Sequence, residues 1–142
     1  MRTLILYGTR TSLIVGLAAT ALSMTLGLTF GVLAGYVGGR TDTVIGRVVD
    51  FFLVIPEVPL MMVIAAVWGS GLWKMVTVIG IVLWTWTARV MRAQTKSIRE
   101  RVYIKRARAI GASNSRILMR HIVPQTAPLL VANAVLAIAV AI

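Results

Sequence analysis

The chain has 142 residues, of which 58% are hydrophobic, and it carries a formal net charge of +11. The apolar fraction of a soluble domain is nearer half, so the composition predicts a membrane protein. The positive charge lies in segments between long apolar runs, and the aromatic residues lie mostly outside those segments, which argues against a nucleic-acid-binding surface. Because the chain has no cysteine, disulfides and thiolate metal sites are excluded.

Four apolar runs are candidate membrane spans, since a bilayer core of about 30 Å requires roughly 20 residues. No charge interrupts the chain between Arg10 and Arg40. The third run is short, so its helix is expected to begin near Leu72 or to let Lys74 snorkel to the interface. The predicted spans are about 12–37, 48–68, 72–88 and 122–142.

Small and polar residues within these spans predict how the helices pack. A small residue recurs at every fourth position of part of the first span, at Ser23, Gly27, Gly31 and Gly35. Small residues at this spacing let another helix approach closely in lipid. We interpret the stripe as a packing surface rather than a substrate site. Asn133, in the middle of the fourth span, is expected to form a hydrogen bond across helices.

The second span is preceded by a predicted polar loop at 38–47, with Asp42 as the N-cap of the following segment. Asp50 is expected to pair with Arg47. Within the span, Pro56 should bend the helix. Glu57 follows it and is placed near the bilayer midplane by its distance in sequence from Arg47.

A carboxylate at that depth costs about 2.5–3.5 kcal/mol or more, so Glu57 should face protein or water. Two interpretations carry equal weight. Pro56 and Glu57 either border a translocation path, where the acid meets a cationic group such as a peptide amino terminus, or Glu57 pairs with a polar group of a neighbouring helix.

The segment from Arg89 to Pro124 holds ten of the fifteen Lys and Arg residues and a single acid, Glu100. A basic segment between apolar runs predicts a loop at a membrane surface. We expect a helix at 98–110, in which Val102, Arg106, Ala109 and Ile110 recur at helical spacing. A left-handed Gly111 should end it, and Ser113 should cap a second helix at 114–122.

The positive-inside rule then orients the chain. Placing the basic segment in the cytoplasm also places Arg40 and Arg47 there, which gives twelve positive charges inside. Arg2, Arg10 and Lys74 remain outside. The amino terminus is therefore predicted to lie outside and the last helix to run outward, with Trp84 and Trp86 near the interface where the third span ends.

The run YIKRARAIGAS at 103–113, followed by RHIVP at 120–124, resembles the EAA loop of binding-protein-dependent ABC importer permeases. Gly111 follows Ala107 by four residues and precedes Pro124 by thirteen, as in that motif. The ending is most similar to the "C"-type permease subunit of the dipeptide, oligopeptide and nickel branch. In this chain Lys105 and Arg106 stand where the motif usually has Glu and Ala.

The resemblance implies an all-α membrane protein with the MetI-like transmembrane fold of type I ABC importers, having four of the usual six helices and truncated at both ends. It implies a multi-pass protein of a bacterial or archaeal cytoplasmic membrane. The loop would dock on cytoplasmic ATPase subunits, which bind the ATP, through Tyr103, Lys105, Arg106, Ala107, Gly111, Ala112, Ser113 and Pro124. A second permease subunit, expected to form a heterodimer, and an extracytoplasmic solute-binding protein would complete the importer.

No nucleophile–base pair, carboxylate dyad, phosphate-binding loop or metal cluster is apparent, and the lone His121 cannot form a metal site by itself. The chain is therefore predicted to be a transport subunit without catalytic residues or a cofactor of its own. The leading hypothesis is a permease for di- or oligopeptides. The alternatives are a permease for nickel or another small solute, and a small membrane adaptor whose basic loop binds anionic lipid.

Overall fold

The structure is a computed structural model that describes residues 2–141, with side chains described from 7 to 139. All the regular secondary structure in that range is helical, as predicted. The helices are α1 (Arg2–Val37), α2 (Gly39–Val54), α3 (Glu57–Trp68), α4 (Leu72–Arg99), α5 (Val102–Ala109), α6 (Asn114–Ile117), a π-helical turn (Leu118–Ile122) and α7 (Val123–Ala141).

Three helical stretches are long and apolar enough to cross a membrane: Tyr7–Val37, Leu72–Arg99 and Asn114–Ala139. Helices α2 and α3 meet this criterion only together, and they are bent by 90° at Ile55 and Pro56. The described chain therefore has four spans if the bent pair forms one of them. The predicted end of the last span, Ile142, lies outside the described residues.

The centre of the fold is the contact between α1 and α4, where the stripe of small residues lies against backbone. A Cβ atom added to Gly31 would lie 2.6 Å from the carbonyl oxygen of Ala88, and one added to Gly35 would lie 2.7 Å from that of Arg92. Gly27 is equally close to Thr87, and Ser23 is fully buried. Only small residues permit two helices to come this close.

The polar loop predicted at 38–47 is wrong, because α2 begins at Gly39 and only Gly38, with a φ of 71°, interrupts the helical chain. Asp42 is not an N-cap. Its carboxylate instead forms ion pairs with two cations of α4, Arg92 through Nε and Lys96 through Nζ at 2.7 Å. These ion pairs fasten the first turns of α2 to α4 and provide partners for Asp42, one of the polar residues that had suggested a loop.

The ion pair predicted between Asp50 and Arg47 is also wrong, because Asp50 forms no ion pair with Arg47 or any other described cation. Both side chains are exposed.

Helix α4 begins at Leu72, as expected, and Lys74 donates a hydrogen bond to the carbonyl oxygen of Trp68. It then continues to Arg99, eleven residues beyond the predicted end of the third span at residue 88. Lys and Arg are good helix formers, so the basic residues extend this helix instead of ending it.

Trp84 and Trp86 lie midway along α4, because the helix extends well beyond them. Their position near an interface stays a prediction. Trp84 is buried, with its ring centroid 5.2 Å from that of Phe30 and 6.4 Å from that of Phe52. This aromatic cluster joins α1, α2 and α4.

Substitution of Gly31 tests the α1–α4 contact. We expect Gly31→Ala to lower the free energy of unfolding by about 1–3 kcal/mol, because its methyl group would overlap the backbone of α4. Thermal unfolding followed by circular dichroism in detergent measures this. Gly8→Ala is the matched control, since nothing lies within 4 Å of its added Cβ. Equal stability of the two variants would contradict close packing at Gly31.

Candidate functional site

The candidate site is the segment 102–117, here called the elbow, which comprises α5, the corner Gly111-Ala112-Ser113 and α6. Gly111 has a φ of 83°, the left-handed conformation that the sequence predicts. The backbone N–H of Gly111 donates to the carbonyl oxygen of Arg108, and that of Ala112 donates to Ala107. These are the two hydrogen bonds of a Schellman helix end, which glycine permits without a steric penalty.

Ser113 caps the second helix, since its Oγ accepts a hydrogen bond from the backbone N–H of Arg116. The first helix is shorter than predicted. The chain leaves helical geometry at Glu100 and Arg101, so 98–110 is divided between the end of α4 and α5. The ends of both helices at the corner are thus satisfied by local bonds, and the corner needs no other element to hold its shape.

One face of the elbow is buried against the ends of α1 and α4. Ile104 and Ile117 are fully buried and pack with Val32 and Tyr36 of α1 and Ile98 of α4. The residues whose spacing predicted this helix, Val102, Arg106, Ala109 and Ile110, are all exposed. The buried residue of α5 is Ile104.

Polar contacts reinforce this packing at Tyr36. Its hydroxyl donates to Asn114 Oδ1 at 2.7 Å, and its carbonyl oxygen accepts from Arg99 Nη1 at 3.1 Å. The guanidinium of Arg108 lies 5.7 Å from the centre of the Tyr36 ring, within the range of a cation–π interaction. The elbow is therefore joined to α1 by a hydrogen bond and a charge contact as well as by apolar packing, and Arg99 joins the end of α4 to the same residue of α1.

The elbow is also joined to α7. The Tyr103 hydroxyl donates to Gln125 Oε1 at 2.7 Å, and Arg101 Nη1 donates to the same oxygen at 3.2 Å. His121 lies beside Tyr103, with ring centroids 6.2 Å apart. This places His121 in an aromatic contact, and the described residues contain no group of three or more metal-ligating side chains.

Pro124 lies at the start of α7, where the helical hydrogen bonding changes. Proline has no N–H to donate, and the preceding Val123 N–H donates to Leu118, five residues back. The predicted helix 114–122 is therefore α6 followed by a π-helical turn, a form that is rare and often found at functional sites.

The remaining surface of the elbow is exposed and cationic. Lys105 Nζ lies 3.1 Å from Glu100 Oε2, and the Lys105 ammonium, together with Arg99, holds the pKa of the Glu100 carboxyl below its usual value. Arg106 has no acidic partner among the described residues. Ile110, at 85% exposure, projects an apolar side chain beside these charges. A cationic surface with an exposed apolar residue is suited to binding an acidic, partly apolar protein surface.

The other residues selected from the sequence lie away from the elbow, at the α1–α4 contact, between α4 and α7, and at the α2–α3 bend. Ser23 and the three glycines line the α1–α4 contact, whereas Asn133 of α7 donates to Thr87 Oγ1 of α4 at 3.4 Å. Pro56 is exposed at the α2–α3 bend, and Glu57 accepts a hydrogen bond from the indole N–H of Trp86. Sequence reasoning did not associate Trp86 with Glu57, because 29 residues separate them and no local pattern connects them.

Cysteine labelling tests both the exposed surface and the predicted orientation of the elbow. The chain has no native cysteine. We expect Ile110→Cys to react with a membrane-impermeant maleimide in inside-out vesicles washed free of peripheral proteins, and not in right-side-out vesicles. Ile104→Cys, whose parent side chain is 0% exposed, is the control and should stay unlabelled in both. Labelling of Ile110→Cys from the outside alone would contradict the orientation.

Comparison with known proteins gives consistent relatives. The dipeptide transport system permease protein DppC of Lactococcus lactis is 30% identical over 124 residues, which are 87% of this chain and 36% of that protein. The glutathione transport system permease protein GsiD of Pectobacterium atrosepticum is 38% identical over 120 residues, 84% of this chain and 40% of that protein. The oligopeptide transport system permease protein OppC of Bacillus subtilis is 32% identical over 117 residues, 82% of this chain and 38% of that protein.

The chain thus spans less than half the length of these relatives. The family model for the binding-protein-dependent transport system inner membrane component matches residues 27–142, which include α2 to α7 and the end of α1 that contacts the elbow. This multi-pass membrane protein therefore belongs to the family of binding-protein-dependent transport system inner membrane components.

Proposed function

We propose that this chain forms part of a permease subunit that moves di- or oligopeptides across the cytoplasmic membrane of a bacterium or archaeon, driven by ATPase subunits. The names of its relatives, which are permeases for dipeptides, oligopeptides and glutathione, support this substrate class. The structural observation that carries the proposal is the elbow. Its buried face is joined to two membrane helices, and its opposite face is free to bind a cytoplasmic partner.

In this proposal the partner ATPases bind and hydrolyse ATP, and this chain supplies neither a nucleotide site nor a catalytic residue. Movement of the ATPases would displace the elbow. Because Ile104 and Ile117 pack against α1 and α4, the displacement would be passed to those two helices. A solute-binding protein would deliver the peptide from outside, and a second permease subunit, different in sequence, would complete the translocation path.

The docking surface would comprise the exposed residues Tyr103, Lys105, Arg106, Gly111 and Ser113, with Pro124 fixing the exit of the chain into α7. Ala107 and Ala112 are half-buried and pack against the core that contains Ile104 and Ile117, so they would support this surface from behind. Lys105 and Arg106 replace the usual Glu and Ala of the motif, so the elbow offers positive charge where an acid is expected. Glu100 compensates Lys105 in part, at 3.1 Å, and leaves Arg106 for the partner. We infer that the matching ATPase surface is acidic.

The two alternative functions are less well supported. The nickel alternative is less well supported because the relatives compared above are named for dipeptides, oligopeptides or glutathione. A lipid-binding adaptor requires positive charge but no defined corner. The Schellman bonds of Gly111 and the fixed packing of Ile104 would have no purpose in an adaptor.

Replacement of Gly111 tests the docking surface. We expect Gly111→Leu to abolish co-purification of the chain with its ATPase subunits in detergent at about 0.15 M salt, where charges more than about 8 Å apart are screened. The leucine would strain the left-handed corner by about 1–2 kcal/mol, and its side chain would project from the docking surface.

Gly39→Leu is the matched control, since Gly39 also has a positive φ, 54°, and an added Cβ meets nothing within 4 Å. It should insert into the membrane and retain the ATPase. Retention of the ATPase by Gly111→Leu, or equal loss in both variants, would refute the elbow as the docking site. Binding of the chain to anionic vesicles without any ATPase would favour the adaptor.

A further inference from the structure

An open cavity of ≈ 230 Å³ lies between the start of α3, the middle of α4 and α7. Its polar lining is Glu57, Trp86, Thr87 and Asn133, and aliphatic side chains complete the wall. A cavity of only about 10–15 Å³ can hold a water molecule. This one has room for a charged group and the atoms attached to it.

Glu57 is the acid of this cavity, and it has no cationic partner. Its side chain is half-buried, and Oε1 accepts the indole N–H of Trp86. No Lys, Arg or His in the described range lies within ion-pairing distance of it. A carboxylate has about four acceptor positions, so most of those of Glu57 are unused. A half-buried, unpaired carboxylate within a membrane span is costly and usually functional.

Asn133 provides a second acceptor on the opposite wall. Its Nδ2 donates to Thr87 Oγ1 at 3.4 Å, and Thr87 Oγ1 in turn lies 3.8 Å from the sulfur of Met24. This chain of contacts orients the amide, so Oδ1 remains as the acceptor of Asn133. The cavity therefore combines one negative charge, an amide oxygen and the aromatic side chain of Trp86.

We propose that this cavity binds a primary ammonium group, the amino terminus of a peptide. The inference rests on the proposed peptide transport and adds a specific binding site to it. An ammonium has three donors and one positive charge, which match the free acceptors of Glu57 and Asn133. Trp86 positions the carboxylate through its N–H and can also contact the cation through its ring.

The same residues do not suit a divalent metal. Such an ion requires several carboxylate, imidazole or thiolate ligands, and the described residues contain no cluster of three. One carboxylate, one amide oxygen and an aromatic side chain instead suit a monovalent organic cation.

The test uses the complete importer carrying Leu136→Cys. Leu136 lines the cavity and is 65% exposed, and its substitution removes none of the polar groups of the cavity. Trialanine should slow maleimide labelling of this cysteine, whereas N-acetyl-trialanine, which lacks the ammonium, should not. Adding Glu57→Gln should raise the trialanine concentration needed for protection by about tenfold or more, because a charged hydrogen bond is lost. Glutamine still accepts the Trp86 N–H, so the local fold is kept.

Asp50→Asn is the control, since it removes an exposed acid outside the cavity and should leave protection unchanged. Equal protection by both peptides, or no effect of Glu57→Gln, would overturn the site. Failure of the cysteine of Leu136→Cys to react even without peptide would also overturn the site, because another helix would then fill the cavity. ATP-dependent uptake of trialanine by the unsubstituted importer is measured in the same vesicles. Absence of uptake contradicts peptide transport, whereas uptake without protection contradicts only the site.

Discussion

The close contact between α1 and α4 is the constraint on which the other features depend. At Gly31 and Gly35 the backbone of α1 lies directly against backbone carbonyl oxygens of α4, and at Gly27 it lies against the side chain of Thr87. Small displacements of two helices packed in this way cost steric overlap at once, so they move together. The elbow is attached to the ends of these same two helices, through Tyr36 of α1 and Ile98 of α4.

The other helices are held less tightly. No residue of α3 is buried, and only 11% of the most apolar part of the last span, Asn114–Ala139, is buried within the chain. Helix α2 is joined to α4 by the ion pairs of Asp42 at its first turns and by the packing of Val49 and Phe52 against Trp84 further along. The cavity at Glu57 lies between the α1–α4 pair and these looser helices. A displacement of the pair by the elbow would therefore change the shape of the cavity, which connects the proposed docking surface with the proposed peptide site.

Local chemistry explains what the sequence predicted well. A glycine followed by an N-capping serine specifies a corner through short-range bonds, and the observed hydrogen bonds of Gly111 and Ser113 follow that pattern. The apolar runs likewise predicted the number of spans, counting α2 and α3 as one. The repeat of small residues from Ser23 to Gly35 predicted a surface of close approach, although the sequence did not identify α4 as the partner.

The features that sequence reasoning missed depend on contacts distant in the chain. Asp42 was predicted to be an N-cap because its neighbours are polar. Its carboxylate instead pairs with two cations that lie 50 and 54 residues away in the chain. The hydrogen bond between Trp86 and Glu57 joins residues 29 positions apart, and it forms where α3 is bent by 90° from α2. Ile104, the buried residue of α5, packs with Tyr36 of α1 and Ile98 of α4, and the local sequence pattern contains neither partner.

The central claim is that the elbow and the α1–α4 pair move as one body relative to α3. Distances between paired spin labels in the complete importer, with and without ATP, test it most directly. Labels at Ile110 on the elbow and Val37 at the end of α1, both exposed, should keep the same separation in the two states, whereas labels at Ile110 and Val63 of α3 should change theirs. A change within the first pair as large as that within the second would contradict the account.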